Sequence, residues 1–296
     1  MTDACDLVPG SNDMPIDPRA RAPKLSLTIW GCRGSVSVGG AGSQRYGGMT
    51  TCIELETPDH RLIIDAGSGL PALGRVRGAD RKQTLMLMTH LHWDHVIGLP
   101  HYSPLFVDGW DLQIRGVPRE GHSVLDWMMD FNRPPAFPVD LRTSVRANVT
   151  GADMTPQGHD TFGPIAFAWR EVEHPGGCTA FRLEVAGQVI VFSGDLELGR
   201  MDPGTMREFC AGADVLICDA QYTDEEYPAY VGWGHSTHRQ AAKLAHESGV
   251  GELLLSHHDP RHDDVQIDRM AEQAREIFAS TRSARCGEVV IHLPSE

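Results

Sequence analysis

Residues 85–95 read Leu85-Met86-Leu87-Met88-Thr89-His90-Leu91-His92-Trp93-Asp94-His95, an apolar run that ends in three imidazoles and a carboxylate within six residues. Leu85 to Thr89 has the composition of a buried strand. An extended continuation puts His90 and His92 on the same side, because side chains alternate along a strand. Asp94 and His95, in the turn that follows, can then reach a second position a few ångströms away. A solvated strand end accounts for one such histidine, but four ligand-type residues in six are the donor set for a pair of metal ions. Neutral imidazole and carboxylate suit Zn²⁺ best and also accept Mn²⁺ or Fe²⁺.

On either side of this motif the chain alternates short β-like runs with turn residues. Leu25 to Trp30, Thr51 to Glu56 and Arg61 to Asp65 precede it; Ile165 to Glu173, Thr179 to Val185 and Val189 to Ser193 follow, with Gly187-Gln188 as a hairpin turn. From Val215 the rhythm changes. Val215 to Asp219 and Glu252 to Ser256 read as buried strands, His235 to Ser248 and Ile267 to Ala279 carry helical spacing, and Glu288 to Leu293 closes as a strand. This is an α/β pattern of two sheets with flanking helices. Residues 1–23, rich in Pro and polar residues, read as a flexible arm before a single domain at 24–296. The Pro-dense region 101–160 reads as an inserted lid, in which Trp127, Phe131 and Phe137 could wall a pocket.

The pattern H-x-H-x-D-H after an apolar strand resembles the metallo-β-lactamase-fold superfamily of binuclear hydrolases, whose architecture is a four-layer αββα sandwich. The resemblance implies further ligands, and each has a counterpart in order: Glu173-His174-Pro175, Ser193-Gly194-Asp195 and Leu255-Ser256-His257. Carried over, His90, His92 and His174 hold one ion, Asp94, His95 and His257 the other, and Asp195 bridges both. His258 competes with His257 for its place; His257 is preferred. Asp65, at the end of an early strand, matches a buried aspartate that orients ligand imidazoles.

Gly234-His235-Ser236-Thr237 before an Ala-rich helix is similar to the tRNase Z and phosphodiesterase branch. There the histidine acts on the phosphate beside an acidic residue, here Asp219, where tRNase Z usually has glutamate. A water shared by two such cations is acidic enough to attack an ester near neutral pH. His235, held by Asp219, is then the catalytic acid, with Asp94 among the catalytic residues. The glycine-dense loop Gly31-Cys32-Arg33-Gly34-Ser35 through Arg45-Tyr46-Gly47-Gly48 offers Arg33 and Arg45 as substrate-binding cations.

Composition narrows the substrate. The 296 residues carry a formal net charge of −14, which repels long polyanions and disfavours extended nucleic acid as a partner. No apolar run is long enough to span a bilayer, and the acidic start Met1-Thr2-Asp3 lacks the features of a secretory signal, so a cytoplasmic site is expected. Seven Cys without a C-x-x-C pair fit reduced thiols. The expected activity is hydrolysis of a small anionic ester, a nucleotide or cyclic phosphodiester; a homodimer is compatible with it. Alternative readings are a lactone or thioester hydrolase, a tRNA 3′-end endoribonuclease and a non-catalytic metal-containing binding protein.

Overall fold

Apolar residues at alternate positions of each strand decide which face of a sheet meets which layer. In the computed structural model, which describes residues 24–294, the chain lays down a first sheet with Leu25–Gly31 (β1), Cys52–Glu56 (β2), His60–Ile64 (β3), Gln83–Leu87 (β4), Asp111–Gly116 (β5) and Asn148–Asp153 (β6). A second sheet follows with Gln157–Phe162 (β7), Ile165–Val172 (β8), Cys178–Val185 (β9), Gln188–Phe192 (β10), Val215–Asp219 (β11), Glu252–Ser256 (β12) and Thr281–Ser283 (β13). Glu288–Leu293 (β14) returns to the first sheet beside β1. The strand orders are β14-β1-β2-β3-β4-β5-β6 and β13-β12-β11-β10-β9-β8-β7. The arm assigned to 1–23 lies outside the described residues.

Leu62, Ile64, Leu85 and Leu87 of the first sheet meet Phe181, Leu183, Ile190, Ile217 and Leu254 of the second in one core between the sheets. Ile63 and Met86, pointing the other way, pack under Leu70–Arg77 (α1) and Val124–Phe131 (α3). Leu216, Leu253 and Leu255 pack under Pro203–Cys210 (α5), His238–Ser248 (α6) and Asp264–Arg275 (α7). The short helices Trp93–Val96 (α2) and Leu141–Ser144 (α4) complete the first helical layer. Strands buried on both faces explain why 85–88 and 215–218 read as unbroken apolar runs. The result is the expected αββα sandwich. Among the described residues no helix is long and apolar enough to cross a membrane.

Several expectations need correction. The 101–160 region is built into both sheets: β5 and β6 pair in parallel and β7 pairs with β8, while α3 and α4 connect them. Trp127 is stacked on Phe131 and spends its indole N–H on the Arg119 carbonyl, and Phe137 packs on the edge of His101. β4 ends at Leu87, so His90 and His92 lie in an irregular segment after the strand. The turn between β9 and β10 uses Ala186 and Gly187, both at positive φ. Helix α6 starts at His238 behind a capping box formed by Thr237 and Gln240, which leaves His235 in the loop before it.

Candidate metal centre

The parallel strands β3–β4–β5 and β10–β11–β12 end on one rim of the sandwich, where open α/β sheets collect ligands. The segment after β4 brings His90 and His92, and α2 brings Asp94 and His95 in its single turn. Across the seam, the connections after β8, β10 and β12 bring His174, Asp195 and His257.

These donors converge in two adjoining groups. One ligand atom each from His90, His92 and His174 lies within 4.8 Å of the others, and so do those of Asp94, His95, Asp195 and His257. His92 Nδ1 is 3.0 Å from His174 Nε2. Asp195 Oδ2 sits 3.6 Å from His90 Nε2, 3.3 Å from His95 Nε2 and 3.0 Å from His257 Nε2, and so touches both groups. Asp94 Oδ2 is 3.3 Å from both His95 Nε2 and His257 Nε2. His258 faces away: its Nε2 donates to the Ala284 carbonyl, and burial pushes its imidazole down to about 3.

Four of the five candidate ligand histidines, His90, His95, His174 and His257, are held through their other nitrogen. His95 Nδ1 meets Asp65 Oδ2 at 2.7 Å, and Asp65 also accepts from the backbone and hydroxyl of Thr89, both at 2.8 Å. The Thr89 hydroxyl therefore accepts from His90 Nδ1, 3.0 Å away. His174 Nδ1 donates to the Gly234 carbonyl and His257 Nδ1 to Gln221 Oε1, both at 2.9 Å. These bonds fix tautomer and ring plane and aim the remaining nitrogen inward. Asp65 thus stands where the sequence placed it, whereas Thr89, Gln221 and Gly234 carry no sequence signal for the role.

The donor set fits divalent cations. Among the described residues, Nε2 of His90, His95 and His257 is buried with no hydrogen-bond partner, although carboxylate oxygens stand beside each. Burial alone would push the His95 and His257 imidazoles down, yet neighbouring Asp195 and Asp94 hold both well above the usual range. Burial works against the Asp94 and Asp195 carboxylates as well, and the surrounding imidazoles still keep them strongly acidic. Such a knot of buried carboxylate and imidazole calls for positive charge at its centre. His92 is exposed and opens the centre to solvent.

Beside these donors, His235 Nδ1 meets Asp219 Oδ2 at 2.7 Å, and a ring nitrogen of His235 is within 4.8 Å of donor atoms of His174 and Asp195. Asp219 is anchored by the Leu196 and Gln221 backbone N–H groups. The shorter aspartate therefore reaches the histidine directly.

The two arginines are placed elsewhere. Arg33 is fully buried and donates to the carbonyls of Gly47, Asp259 and His262, so it ties the loop after β1 to the loop after β12 and is not available to an ester. Arg45 pairs with Asp268 on α7. The glycine loop serves the metal donors instead. Ser35 N–H donates to Asp94 Oδ2 at 2.7 Å, and a Cβ on Gly34 would come within 2.2 Å of His257 Nδ1.

A family model described as a beta-lactamase superfamily domain matches residues 60–258, well over half of the chain. The chain belongs to the metallo-β-lactamase-fold superfamily. This metallo-β-lactamase-fold hydrolase is 30% identical over 258 residues to an uncharacterised protein of Mycobacterium tuberculosis, a match covering 84% of this chain and 86% of that one. A ribonuclease Z of Brevibacillus brevis is 39% identical over 102 residues, which span 33% of this chain and only 31% of that enzyme. The crystal structure of the metallo-beta-lactamase fold protein YhfI from Bacillus subtilis shares the fold, with a TM-score of 0.71 at 22% identity over 90% of this chain and 98% of that one.

Proposed function

We propose that this protein is a binuclear metal-dependent phosphodiesterase acting on small nucleotide or cyclic phosphodiesters. The observation that carries the reading is His235, braced by Asp219 at 2.7 Å and set beside His174 and Asp195. A lactone and a phosphodiester both expel an alkoxide that must receive a proton, but only the phosphodiester also places charged phosphoryl oxygens beside the metal donors, where a second imidazole N–H can hydrogen-bond to them. The partial match to a ribonuclease Z supports phosphodiester chemistry, and the charge of −14 favours a small substrate over a long RNA.

His90, His92 and His174 would hold one cation, Asp94, His95 and His257 the other, with Asp195 shared between them. Two divalent ions, Zn²⁺ by preference, would supply an acidic water and neutralise charge developing on the phosphoryl oxygens. The chain's own residues do the rest. Asp65, Thr89, Gln221 and the Gly234 carbonyl hold the imidazoles in one tautomer. Asp219 orients His235 so that Nε2 delivers its proton to the departing oxygen. The test is a purified-protein screen with Zn²⁺, Mn²⁺ and Fe²⁺, setting bis-p-nitrophenyl phosphate against a panel of lactones and thioesters. Turnover of the diester is expected; turnover confined to lactones or thioesters retracts the assignment.

A further inference from the structure

Four aromatic rings run outward from the catalytic side of the centre. The Tyr222 ring stands edge-on to His235, with centroids 5.9 Å apart. Tyr230 lies parallel to Tyr222 at 4.7 Å and 11°, and Trp233 meets Tyr230 edge-on at 5.4 Å. Tyr222 is buried, but Trp233 is 62% exposed. An indole left in water costs a folded protein apolar burial, so its placement beside the reacting groups asks for an occupant.

The loop that presents Trp233 is rigidly built. Gly232 and Gly234 flank it at φ 90° and 89°, conformations that side chains rarely adopt, and a Cβ on Gly234 would strike His174 Nδ1 at 2.2 Å. Below the loop, Glu197 is fully buried and accepts from the N–H groups of Gly232 at 2.8 Å and Gly234 at 2.9 Å, and from the Tyr227 hydroxyl at 2.9 Å. A buried carboxylate is tolerated only with such donors. Its effect is to fix the backbone on both sides of Trp233 and, through the Gly234 carbonyl, the ring of His174. Arg261 fixes Tyr230 in turn, donating to its hydroxyl at 2.7 Å with its guanidinium 5.1 Å from the ring centre.

We propose that the exposed ring of Trp233, seated edge-on against Tyr230, is a prearranged stacking platform for the nucleobase of the substrate, connected through Tyr230 and Tyr222 with His235. The proposal rests on the phosphodiesterase reading and narrows it to esters that carry a planar aromatic base. A flat ring laid on this platform extends an array already ordered, so little conformational entropy is lost on binding. Base–aromatic stacking accounts for roughly a tenfold gain in affinity.

The experiment is calorimetric titration of the Zn²⁺-loaded protein with adenosine 5′-monophosphate and with ribose 5-phosphate, which share the phosphate and differ in the base. The nucleotide is expected to bind about tenfold more tightly. Trp233→Ala should abolish the difference with metal content unchanged, and Trp233→Phe should keep most of it. Equal binding of the two ligands by the native protein overturns the proposal, as does a preference that survives Trp233→Ala. Sedimentation that shows a dimer lost in Trp233→Ala, with no nucleotide preference, assigns the face to a second copy and likewise overturns it. Hydrolysis of bis-p-nitrophenyl phosphate is measured separately. Its absence beside base-dependent binding would retract the diester chemistry and leave the platform standing.

Discussion

His257 places its ring from a backbone at φ 58°, a left-handed conformation that costs a non-glycine residue about 1–3 kcal/mol, and Asp65 stands at φ 62°. Strain at two residues of the same centre is held in place by the bonds around it. His257→Ala should remove about one metal equivalent on elemental analysis, and an unchanged content would withdraw it as a ligand. His235→Ala should slow diester turnover by about 10²-fold or more while leaving metal content intact; lost metal with retained turnover would contradict its role. Arg33→Ala should cost about 1–3 kcal/mol in denaturant unfolding, because the carbonyls of Gly47, Asp259 and His262 lose a buried donor. A selective rise in KM with unchanged stability would restore Arg33 to substrate binding. The residues that converge on the candidate centre were legible because each pairs a distinctive side chain with the end of an apolar run. Gln221 and Glu197 were not, since nothing local marks the tertiary neighbours of a Gln or Glu. Arg33 misled because a glycine-dense loop with an arginine looks the same whether the guanidinium faces an anion or its own chain's carbonyls.

Outside 101–160 most strands, and helices α6 and α7, followed from the sequence pattern, while their ends did not. Thr89 continues the apolar run of β4, yet its hydroxyl and N–H are committed to Asp65, which draws the chain out of the sheet before His90. Helix α6 was legible to within a few residues from its helical spacing, and the capping box of Thr237 and Gln240 sets where it starts. Thr237→Ala should lower stability by about 1 kcal/mol in denaturant unfolding, and an effect below a few tenths would mean the cap is redundant. Region 101–160 was misread as a lid because β6 and β7 are mostly exposed and polar, whereas periodicity detects only strands with a buried face. Burial and hydrogen bonding also set thiol chemistry. Cys286, after β13, has its thiol drawn below the usual range by a hydrogen bond from Cys32, 3.8 Å away, while burial pushes Cys210 up to about 12. Thiolate forms above the pKa, so as pH rises alkylation at Cys286 should precede that of Cys210. Peptide mapping by mass spectrometry checks the order.

The two sheets meet through an apolar core, and the metal donors straddle their rim: His90, His92, Asp94 and His95 follow a strand of the first, His174, Asp195 and His257 strands of the second. Bound cations would therefore join the halves of the sandwich, and ligands specific for the native state stabilise it by about 2.7 kcal/mol at a hundredfold excess over Kd. Chelation should lower the thermal midpoint by several degrees, reversed by Zn²⁺, as read by calorimetry; an unchanged midpoint would mean that the donors bind no structural ion. That both sheets contribute was foreseeable from the order of the motifs, but the pairing of β14 with β1 was not, because nothing local in either strand specifies so distant a partner.

That pairing sets Leu25 opposite Leu293. A short peptide bridge between these two positions would close residues 25–293 into a ring at almost no geometric cost, and the ring could be reopened at an exposed bend such as Gly109, where a side chain would meet none of the described residues. The order in which the elements are synthesised is thus separable from the order in which they pack.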